Sequence, residues 1–373
     1  MPSPPTVAVD LRALVPAATG IGVYTRSLLG ALAHSEALNY LGVSHQPIRS
    51  PEALRDLGVS LESHPAPLGV LWQQLKLPKR LEHSAAELFW SPLGTLPWRL
   101  PVPSVVTVHD LTVLTHPETH SLKVRLSMRP FLGRSLAQSS AIVAISQATA
   151  SDLRRIYPRC ADRLHVVYNG VDPTFQPADD QEIEAFRKRL GCPQGYILYV
   201  GTLEPRKNVG TLLEAWAGLK QDHPETPPLV IAGAAGWRNK ALLQRIRELE
   251  GLGLRHLGHL PREDLIRLYQ SAAVFAYPSL YEGFGLPPLE AMACGVPTVV
   301  SNVSSLPEVV GDAGLQVAPR DTQALGRSLR DVLSQPDLSV RLSRSGPSRA
   351  RRFSWERSAR EMERIFLEVL GTP

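Results

Sequence analysis

The chain has 373 residues, of which 43% are hydrophobic and 20% are charged, and its net charge is +5. A chain of this length exceeds the size at which one hydrophobic core keeps growing, so we expect two globular domains and exclude a largely disordered protein. The three cysteines, Cys160, Cys192 and Cys294, are widely scattered. This spacing argues against a disulfide framework and a zinc site of closely spaced ligands, and it favours a reducing, cytoplasmic location.

The sequence predicts no membrane-spanning segment. The N-terminus, MPSPPTVAVDLRALVP, has no basic region before a long apolar run. Nowhere do about 18 apolar residues stand together.

The positive charge is concentrated in the first half, where residues 1–175 carry 16 Lys/Arg and 12 Asp/Glu. One stretch there, SLKVRLSMRPFLGRSL from Ser121, has Lys123, Arg125, Arg129 and Arg134 among leucines. This pattern indicates an amphipathic helix that either lies on anionic lipid or exposes a solvated basic face, and the second is the commoner case.

Short β-branched runs alternate with longer amphipathic stretches in the first half. We predict strands at VAVDL from residue 7, VVTVH from 105, AIVAIS from 141 and HVVYN from 165. Helical spacing is found in GIGVYTRSLLGALAH and QATASDLRRIY. Such alternation is typical of βα units that build a parallel sheet.

The same alternation restarts in the second half, after a Pro- and Asp-rich stretch around residues 170–190 that we interpret as a linker. Strands are predicted at YILYVG from 196, LVIAG from 229, VFAYP from 274 and PTVVS from 297. Helices follow in NVGTLLEAWAGLK, NKALLQRIRELE, DTQALGRSLRDVLSQ and WERSAREMERIFLEVL. The fold class is therefore α/β, with two doubly wound Rossmann-like domains facing across a cleft, and ligands are expected beyond the carboxyl ends of the strands.

A distinctive segment, EGFGLPPLEAMACG, occupies residues 282–295. Pro287 and Pro288 suit the first turn of a helix and Gly295 suits its end, which predicts a short helix over 287–294. The Gly283-Phe284-Gly285 turn before it can present backbone N–H groups to a phosphate.

Two glutamates of this segment are candidates for binding sugar hydroxyls. Glu290, one turn into the helix, can accept two hydrogen bonds from a vicinal diol such as a ribose. Glu282, on the loop, would reach whatever extends beyond the phosphate. Two solvated glutamates near a glycine-rich turn are the alternative interpretation.

The stretch GTLEPRKN follows a predicted strand, so Arg206 and Lys207 stand together at its carboxyl end. Two adjacent cations at that place can neutralise a diphosphate. Taken alone, such a pair is more often a solvated turn.

In the first half, Gly20 and Gly22 of TGIGVYTRSLL open a predicted helix and can let the backbone approach a phosphate. The full GxGxxG spacing is missing here and in LVIAGAAGW, which argues against a nicotinamide cofactor.

His109 ends the strand VVTVH, and a side chain at that position would face the cleft. Metal binding with His116 or His120 lacks an HxxxH or HxH spacing, and a packing or loop role is commoner for such histidines.

Together these motifs resemble the family 4 retaining glycosyltransferases of the GT-B fold. The likeness is carried, in the family's order, by TGIGVYTRSLL, VVTVHDL, AISQATASDL, VVYNGVD, YVGTLEPRKN, HLGHLPREDL and YPSLYEGFGLPPLEAMACGVPTVVSNVSSLPEVVGDAG. It implies an acceptor-binding domain at 1–175, a nucleotide-sugar-binding domain at 176–354 and a last helix, 355–373, that crosses back to the first domain.

The resemblance also implies roles for individual residues. Glu282 would bind hydroxyls of the donor sugar, Glu290 the ribose, and His109 would lie near the reacting sugar. Arg206 and Lys207 would stabilise the leaving diphosphate. The remaining donor contacts would come from Gly20, Gly22, Gly201, Leu260, Gly283, Phe284, Gly285 and Leu286. Val23 departs from the arginine that many relatives carry there, so no contact is assigned to it.

The reaction implied by the resemblance is transfer of a hexose, with mannose favoured, from a nucleotide sugar to a glycan or lipid-linked acceptor. The anomeric configuration would be retained, no metal or other cofactor would be needed, and a GDP-sugar is favoured over a UDP-sugar. No nucleic-acid partner is expected, and the enzyme would be cytoplasmic, with peripheral contact to the inner face of the membrane. A nucleotide-sugar epimerase, a phosphorylase and a non-catalytic nucleotide-sugar sensor remain alternatives.

Overall fold

The computed structural model describes residues 3–15, 19–119, 131–191 and 195–372. The chain forms two compact units, which we call unit 1 (Met1–Gly170 with Ser354–Pro373) and unit 2 (Val171–Phe353). The predicted basic helix at 121–136 falls mostly outside the described residues, as do His120 and Cys192.

Unit 1 contains a seven-stranded parallel sheet with the strand order β3-β2-β1-β4-β5-β6-β7. Its strands are β1 Thr6–Asp10, β2 Asn39–Ser44, β3 Ser60–Ser63, β4 Ala86–Ser91, β5 Ser104–Val108, β6 Ala141–Ala144 and β7 Leu164–Val166.

Unit 2 contains a six-stranded parallel sheet with the order β10-β9-β8-β11-β12-β13. Its strands are β8 Ile197–Val200, β9 Leu229–Ala232, β10 Arg255–His256, β11 Val274–Tyr277, β12 Thr298–Ser301 and β13 Leu315–Val317.

Helices connect the strands in both units. The α-helices of unit 1 are α1 Gly20–Leu32, α2 Glu52–Arg55, α3 Gly69–Leu75, α4 Leu77–Glu82, α5 Thr112–Thr115, α6 (described over 131–138), α7 Gln147–Ile156 and, at the end of the chain, α16 Trp355–Leu370. Those of unit 2 are α8 Asp180–Arg189, α9 Val209–Asp222, α10 Lys240–Leu249, α11 Arg262–Gln270, α12 Leu286–Ala293, α13 Leu306–Val310, α14 Thr322–Ser334 and α15 Pro336–Ala350. Short 3-10 helices lie at Arg12–Leu14, Pro117–Thr119, Pro158–Arg163, Pro205–Lys207, Glu250–Leu252 and Gly311–Ala313.

The prediction of two parallel α/β domains is confirmed, and all eight predicted strands are present. Five strands were missed, namely β2, β3, β4, β10 and β13. The central strands β5, β6, β8, β9, β11 and β12 are buried along their whole length. Because both faces of these strands are buried, their sequences are continuous runs of mostly apolar residues.

The prediction that residues 170–190 form a linker is wrong for their second half, which is helix α8. Asp179 caps this helix by accepting a hydrogen bond from the backbone N–H of Glu182 at 2.8 Å. Acidic residues stand in the first turn and basic residues in the last, which complements the helix dipole. These local signals outweigh the composition that suggested a linker.

The last helix, α16, packs within unit 1. It contacts α1, where the rings of Tyr24 and Trp355 lie 6.0 Å apart, and Phe366 lies 5.7 Å from Trp90 of β4. Ser354 caps its first turn through the backbone N–H of Arg357. Among the described residues, no helix combines the length and the apolar character needed to cross a bilayer.

Candidate active site

The candidate site of unit 2 lies where the winding direction of its sheet changes. Strand β8 pairs with β9 on one side and with β11 on the other. Loops that leave the carboxyl ends of two such neighbouring strands diverge to opposite faces of the sheet and leave a crevice, which is the usual ligand site of a doubly wound sheet. The loops after β8 and β11 carry Arg206, Lys207 and Glu282.

Hydrogen bonds hold these two loops together. The backbone N–H of Leu280 donates to the carbonyl of Arg206 at 2.9 Å. The Arg206 guanidinium donates to the carbonyl of Tyr281 at 2.7 Å, and the Asn208 side chain donates to the carbonyl of Pro278 at 2.9 Å. Asn208 has a φ of 53°, a left-handed conformation that asparagine tolerates. The site is therefore built on ordered backbone.

Arg206, Lys207 and Glu282 form one buried ion cluster. The Lys207 ammonium lies 2.8 Å from Glu282 Oε1 and the Arg206 guanidinium lies 3.0 Å from Glu282 Oε2. Arg206 also pairs with Glu204 at 2.8 Å. Two cations thus face two carboxylates, and a diphosphate entering here would share these cations with acidic side chains already in place.

Burial and charge act in opposite directions on the pKa of Glu282. Burial alone would raise it, since only 6% of the residue is exposed, but Lys207 and Arg206 outweigh burial and lower the pKa to about 2. Burial also lowers the pKa of Lys207, and Glu282 partly offsets that effect. Glu282 is therefore a permanent carboxylate at neutral pH.

Side chains that sequence reasoning missed surround this cluster. The Tyr277 hydroxyl accepts a hydrogen bond from Lys207 at 2.7 Å. The backbone N–H of Glu282 donates to Ser304 Oγ at 2.8 Å, while Ser305 Oγ donates to the carbonyls of Glu282 and Phe284. Both serines follow β12, the strand next to β11. Their position after a predicted strand was the signal in the sequence that would have found them.

The glycine-rich turn leads directly into α12, close to the predicted helix, and Gly295 ends that helix with a φ of 76°. Gly285 has a φ of 109°, and a Cβ there would lie 2.9 Å from Leu306. Phe284 is buried, with its ring 5.7 Å from that of Phe353. Because residues 287 and 288 are prolines, only Leu286 among the first three helical residues carries an N–H group for an anion.

Glu290 lies on α12 in a different environment from Glu282. Its Oε2 accepts a hydrogen bond from the Tyr269 hydroxyl at 2.9 Å. Burial raises the pKa of Glu290 to about 7, while Tyr269 and Arg262 oppose this and Asp172 adds to it. Arg262 and Asp172 themselves pair at 2.5 Å. At neutral pH Glu282 is therefore ionised, whereas Glu290 is near the midpoint of its titration.

Two further predicted donor residues of unit 2 lie on neighbouring loops. Gly201 follows β8, and its carbonyl oxygen lies close to Gly233, which follows β9. A Cβ at Gly233 would lie only 2.1 Å from that oxygen, so the loops after β8 and β9 are in tight contact. Leu260 lies between β10 and α11, and it lines an apolar hollow with Phe186 and Leu257.

The remaining predicted residues lie in unit 1. His109 Nε2 is 2.8 Å from the carbonyl oxygen of Pro92, so that nitrogen carries the proton and donates it. The Tyr24 ring meets the imidazole edge-on at 4.8 Å. Burial lowers the pKa of His109, which keeps the imidazole neutral.

Gly20 and Gly22 occupy the first turn of α1, as predicted. The N–H of Gly22 donates to Thr19 Oγ1 at 3.1 Å, and a Cβ at Gly22 would lie 3.0 Å from the carbonyl oxygen of Ala13. At Gly20 a Cβ would meet no atom of the described residues within 4 Å. Among the described residues, the space at Gly22 is therefore tight for a methyl group, whereas the space at Gly20 is open.

The structure brings the pair Arg206 and Lys207 into contact with Glu282, with Gly283 to Leu286 following in the same loop and helix. Glu290 contacts Tyr269, His109 contacts Pro92 and Gly22 contacts Thr19, so these three predicted residues have partners outside the ion cluster. Over residues 3–15, 19–119, 131–191 and 195–372, no three His, Cys, Asp or Glu side chains are grouped so as to hold a metal ion. His116, one of the histidines considered above for metal binding, has its Nδ1 3.0 Å from the hydroxyl of Thr115.

Two family models match the chain in succession. Residues 18–175 match the model described as Glycosyltransferase Family 4, and residues 180–349 match the model described as Glycosyl transferases group 1.

Similar proteins include two mannosyltransferases of Escherichia coli. The O-antigen chain mannosyltransferase B is 35% identical over 355 residues, which cover 91% of this chain and 93% of that protein. The serotype-specific mannosyltransferase WbdA is 32% identical over 285 residues, which cover 74% of this chain but 34% of the larger relative.

Solved structures with the same fold are more distant in sequence. Anabaena HepE in complex with UDP and glucose superposes with a TM-score of 0.78 at 20% identity, over 97% of this chain and 99% of HepE. A sucrose-phosphate synthase from Thermosynechococcus elongatus superposes with a TM-score of 0.76 at 23% identity, over 98% of this chain and 99% of that one.

Proposed function

Because the chain belongs to the group 1/family 4 glycosyltransferases of the GT-B fold, we propose that it transfers a mannosyl group from a nucleotide-diphosphate sugar to a hydroxyl of a glycan or lipid-linked acceptor. A GDP-sugar is the favoured donor, and no metal ion takes part. The anomeric configuration is retained. The single observation that carries this proposal is the buried contact of Arg206, Lys207 and Glu282 between β8 and β11, where the winding direction of the unit 2 sheet changes.

The cation pair serves the departing nucleoside diphosphate. Negative charge builds on the leaving group as the glycosidic bond breaks, and donors fixed in advance stabilise that charge without reorganising. Lys207 and Arg206 are fixed by Glu282, Glu204 and Tyr277. By analogy with an oxyanion donor, each such contact lowers the barrier by about 2.7 to 4 kcal/mol.

Glu282 serves the sugar and not the leaving group. With a pKa of about 2 it remains a hydrogen-bond acceptor at neutral pH and cannot supply a proton. Its carboxylate would accept hydrogen bonds from hydroxyls of the donor sugar at the rim of the ion cluster. These bonds would hold the anomeric carbon beside the cations. As the bond between the anomeric carbon and the diphosphate breaks, an oxocarbenium-like centre would receive the acceptor oxygen on the face that the diphosphate leaves, and the hydroxyl proton would pass to the departing phosphate oxygen.

The mannosyl specificity rests on the relatives. The E. coli protein at 35% identity is named as a mannosyltransferase of the O-antigen chain, and the aligned region covers nearly all of both chains. We infer a polysaccharide or lipid-linked acceptor by the same similarity. Activity in the cytoplasm, with peripheral contact to the inner face of the membrane, would suit such an acceptor and the basic first half of the chain.

The donor is tested by thermal unfolding of the purified chain with GDP-mannose, GDP-glucose, UDP-glucose and UDP-galactose. A ligand at 100 times its dissociation constant adds about 2.7 kcal/mol to the free energy of unfolding. With all four sugars at one concentration, the true donor has the lowest dissociation constant and should shift the unfolding midpoint most. A larger shift with a UDP-sugar would overturn the GDP preference.

The reaction is tested by supplying mannosyl acceptors and reading the anomeric proton of the product by NMR. We expect an α-linked product from an α-linked donor, at a rate that EDTA does not change. Interconversion of the donor alone would indicate an epimerase, and donor binding without release of nucleoside diphosphate would indicate a sensor.

A further inference from the structure

Exposed large apolar side chains are concentrated on one surface of unit 1. Among the described residues the large apolar side chains that are strongly exposed include Leu68, Val70, Leu71, Leu75 and Trp98, with Leu75 66% exposed and Trp98 57%. The first four lie in or next to α3, and the backbone N–H of Trp98 donates to the side chain of Gln74 in the same helix. We call these five residues the α3 surface.

The inner side of α3 is fixed by polar contacts, so the helix cannot turn its leucines inward. The Arg12 guanidinium donates to the carbonyl of Gly69 at 3.1 Å, and Gln73 Nε2 donates to the carbonyl of Thr95 at 2.8 Å. Trp72 is 1% exposed and fills the core beneath.

The outward leucines follow the helical repeat. Leu68, Leu71 and Leu75 are spaced as i, i+3 and i+7, which places them on one stripe of the helix. A stripe of this kind usually faces a core, but here it is exposed. Several exposed apolar side chains grouped along one helix are typical of a binding face.

The rim of the α3 surface is cationic. The sequence has no Asp or Glu between Glu62 and Glu82, while Lys76, Lys79 and Arg80 stand at the end of α3 and in α4. Arg80 is paired with Glu62, and both lysines are exposed.

The side of the surface formed by Trp98 is also cationic. Arg99 is exposed, and the guanidinium of Arg134 lies 5.9 Å from the centre of the Trp98 ring. The Phe131 ring stacks on Trp98 at 6.3 Å. An exposed tryptophan with basic neighbours suits the boundary between lipid headgroups and acyl chains.

We propose that the α3 surface docks this protein on an anionic lipid bilayer, with Leu71 and Leu75 among the acyl chains and Lys76 and Lys79 against headgroup phosphates. The charge pattern selects this occupant, because aliphatic side chains with a basic rim are the two components of interfacial binding to anionic membranes. The proposal deepens the membrane contact of the proposed function and rests on it. It does not use the donor site, and of the predicted basic segment from Ser121 it uses only Phe131 and Arg134, which lie among the described residues.

The test is sedimentation of the full chain with vesicles of phosphatidylethanolamine and phosphatidylglycerol, against vesicles of phosphatidylcholine alone. The wild type should bind the anionic vesicles, and added salt should weaken binding because it screens the lysines. The double variant Leu71→Asp/Leu75→Asp should reduce the bound-to-free ratio by at least about tenfold. Lys76→Glu/Lys79→Glu should remove the preference for anionic lipid.

Leu252→Asp and Val340→Asp provide the matched controls, since both residues are 48% exposed and lie in unit 2. Each should bind vesicles within about twofold of the wild type. All variants should keep the wild-type unfolding midpoint and the same shift with donor. A lost donor shift would therefore count against the donor site and not against the α3 surface.

Three results would overturn the proposal. The first is a wild type that binds neither vesicle, and the second is equal binding by the wild type and Leu71→Asp/Leu75→Asp. The third is a wild-type dimer in sedimentation velocity that this double variant dissociates without any effect on vesicle binding, since the surface would then join two copies of the chain. Quenching by brominated acyl chains gives an independent readout, and Trp98→Phe should lower it without abolishing binding.

Discussion

Lys207 and Glu282, 75 residues apart in sequence, lie 2.8 Å apart between Nζ and Oε1. The contact depends on sheet topology, because the two loops leave neighbouring strands, β8 and β11, at the same edge. It is also buried: the side chains are 12% and 8% exposed. Glu282 and Lys207, the lysine proposed to bind the diphosphate, therefore hold each other in place.

Glu282→Gln should destabilise unit 2 strongly at neutral pH. The glutamine keeps the volume but leaves two buried cations with one carboxylate fewer, and breaking a buried pair costs about 3 to 5 kcal/mol. Chemical unfolding at pH 7 measures this loss. Glu214→Gln is the matched control, because its partner Arg245 is exposed and such a pair contributes about 0 to 1 kcal/mol.

The same variant has a defined pH signature. The pKa of Glu282 falls from 4.5 to about 2 on folding, so its stabilisation is present above pH 4.5 and is lost as the pH falls through 2. The difference between the wild type and Glu282→Gln should shrink over that window. A difference that is constant with pH would contradict the ion-cluster account.

Lys207→Ala should abolish catalysis while leaving a folded protein. If Lys207 stabilises charge that develops only in the transition state, kcat should fall by about 10² to 10³ with a smaller change in KM. Steady-state assays of nucleoside diphosphate release with a mannosyl acceptor measure both constants. A change in KM alone would show that the lysine merely binds the donor, as a sensor would.

Glu290→Gln should become more stable than the wild type as the pH rises. The pKa of Glu290 rises from 4.5 to about 7 on folding, so the wild type loses stability between pH 4.5 and 7, and the glutamine does not titrate. The gain at pH 8 should reach at most about 3 kcal/mol, since one pKa unit is about 1.36 kcal/mol. If Glu290 binds the ribose, transfer should also fall, because the glutamine offers one acceptor oxygen where the carboxylate offers two.

Tyr269→Phe is the companion variant for this pH effect. The Tyr269 hydroxyl donates to Glu290 and lowers its pKa, so its removal should extend the loss of stability to higher pH. Unfolding curves of the wild type and both variants, collected from pH 4 to 9, compare the three. Parallel pH profiles would show that Glu290 does not titrate in this range.

The six strands that are buried along their whole length and the residues of the ion cluster could be predicted from the sequence, whereas the five missed strands, β2, β3, β4, β10 and β13, each have an exposed or partly exposed position. Strands such as β8 and β11 are covered on both faces and therefore read as apolar runs. In contrast, β3 is partly or fully exposed at each position, and β10 has two residues. Such strands form because a neighbouring strand offers hydrogen bonds, which no local pattern records.

The site was predictable to the extent that it follows strand ends. Arg206 and Lys207 lie in the loop after β8, so the strand pattern alone locates them at the carboxyl edge of the sheet. The contact of Lys207 with Tyr277 was not predictable in this way, because it depends on the order of strands in the sheet and not on chain order. The opposite pKa shifts of Glu282 and Glu290 likewise arise from burial and from cations elsewhere in the chain.

Gly20→Ala and Gly22→Ala should separate a functional glycine from a structural one on the same turn of α1. A methyl group at position 22 would lie 3.0 Å from the Ala13 carbonyl oxygen, so Gly22→Ala should lower the free energy of unfolding by about 1 to 3 kcal/mol. A methyl group at position 20 meets no atom of the part of the chain that the structure describes, so Gly20→Ala should leave stability unchanged or raise it by about 0.4 to 1 kcal/mol. If the backbone of Gly20 approaches the donor phosphates, Gly20→Ala should still lose transfer activity. Paired thermal unfolding and transfer assays measure the two effects, and full activity of Gly20→Ala would remove that residue from the donor site.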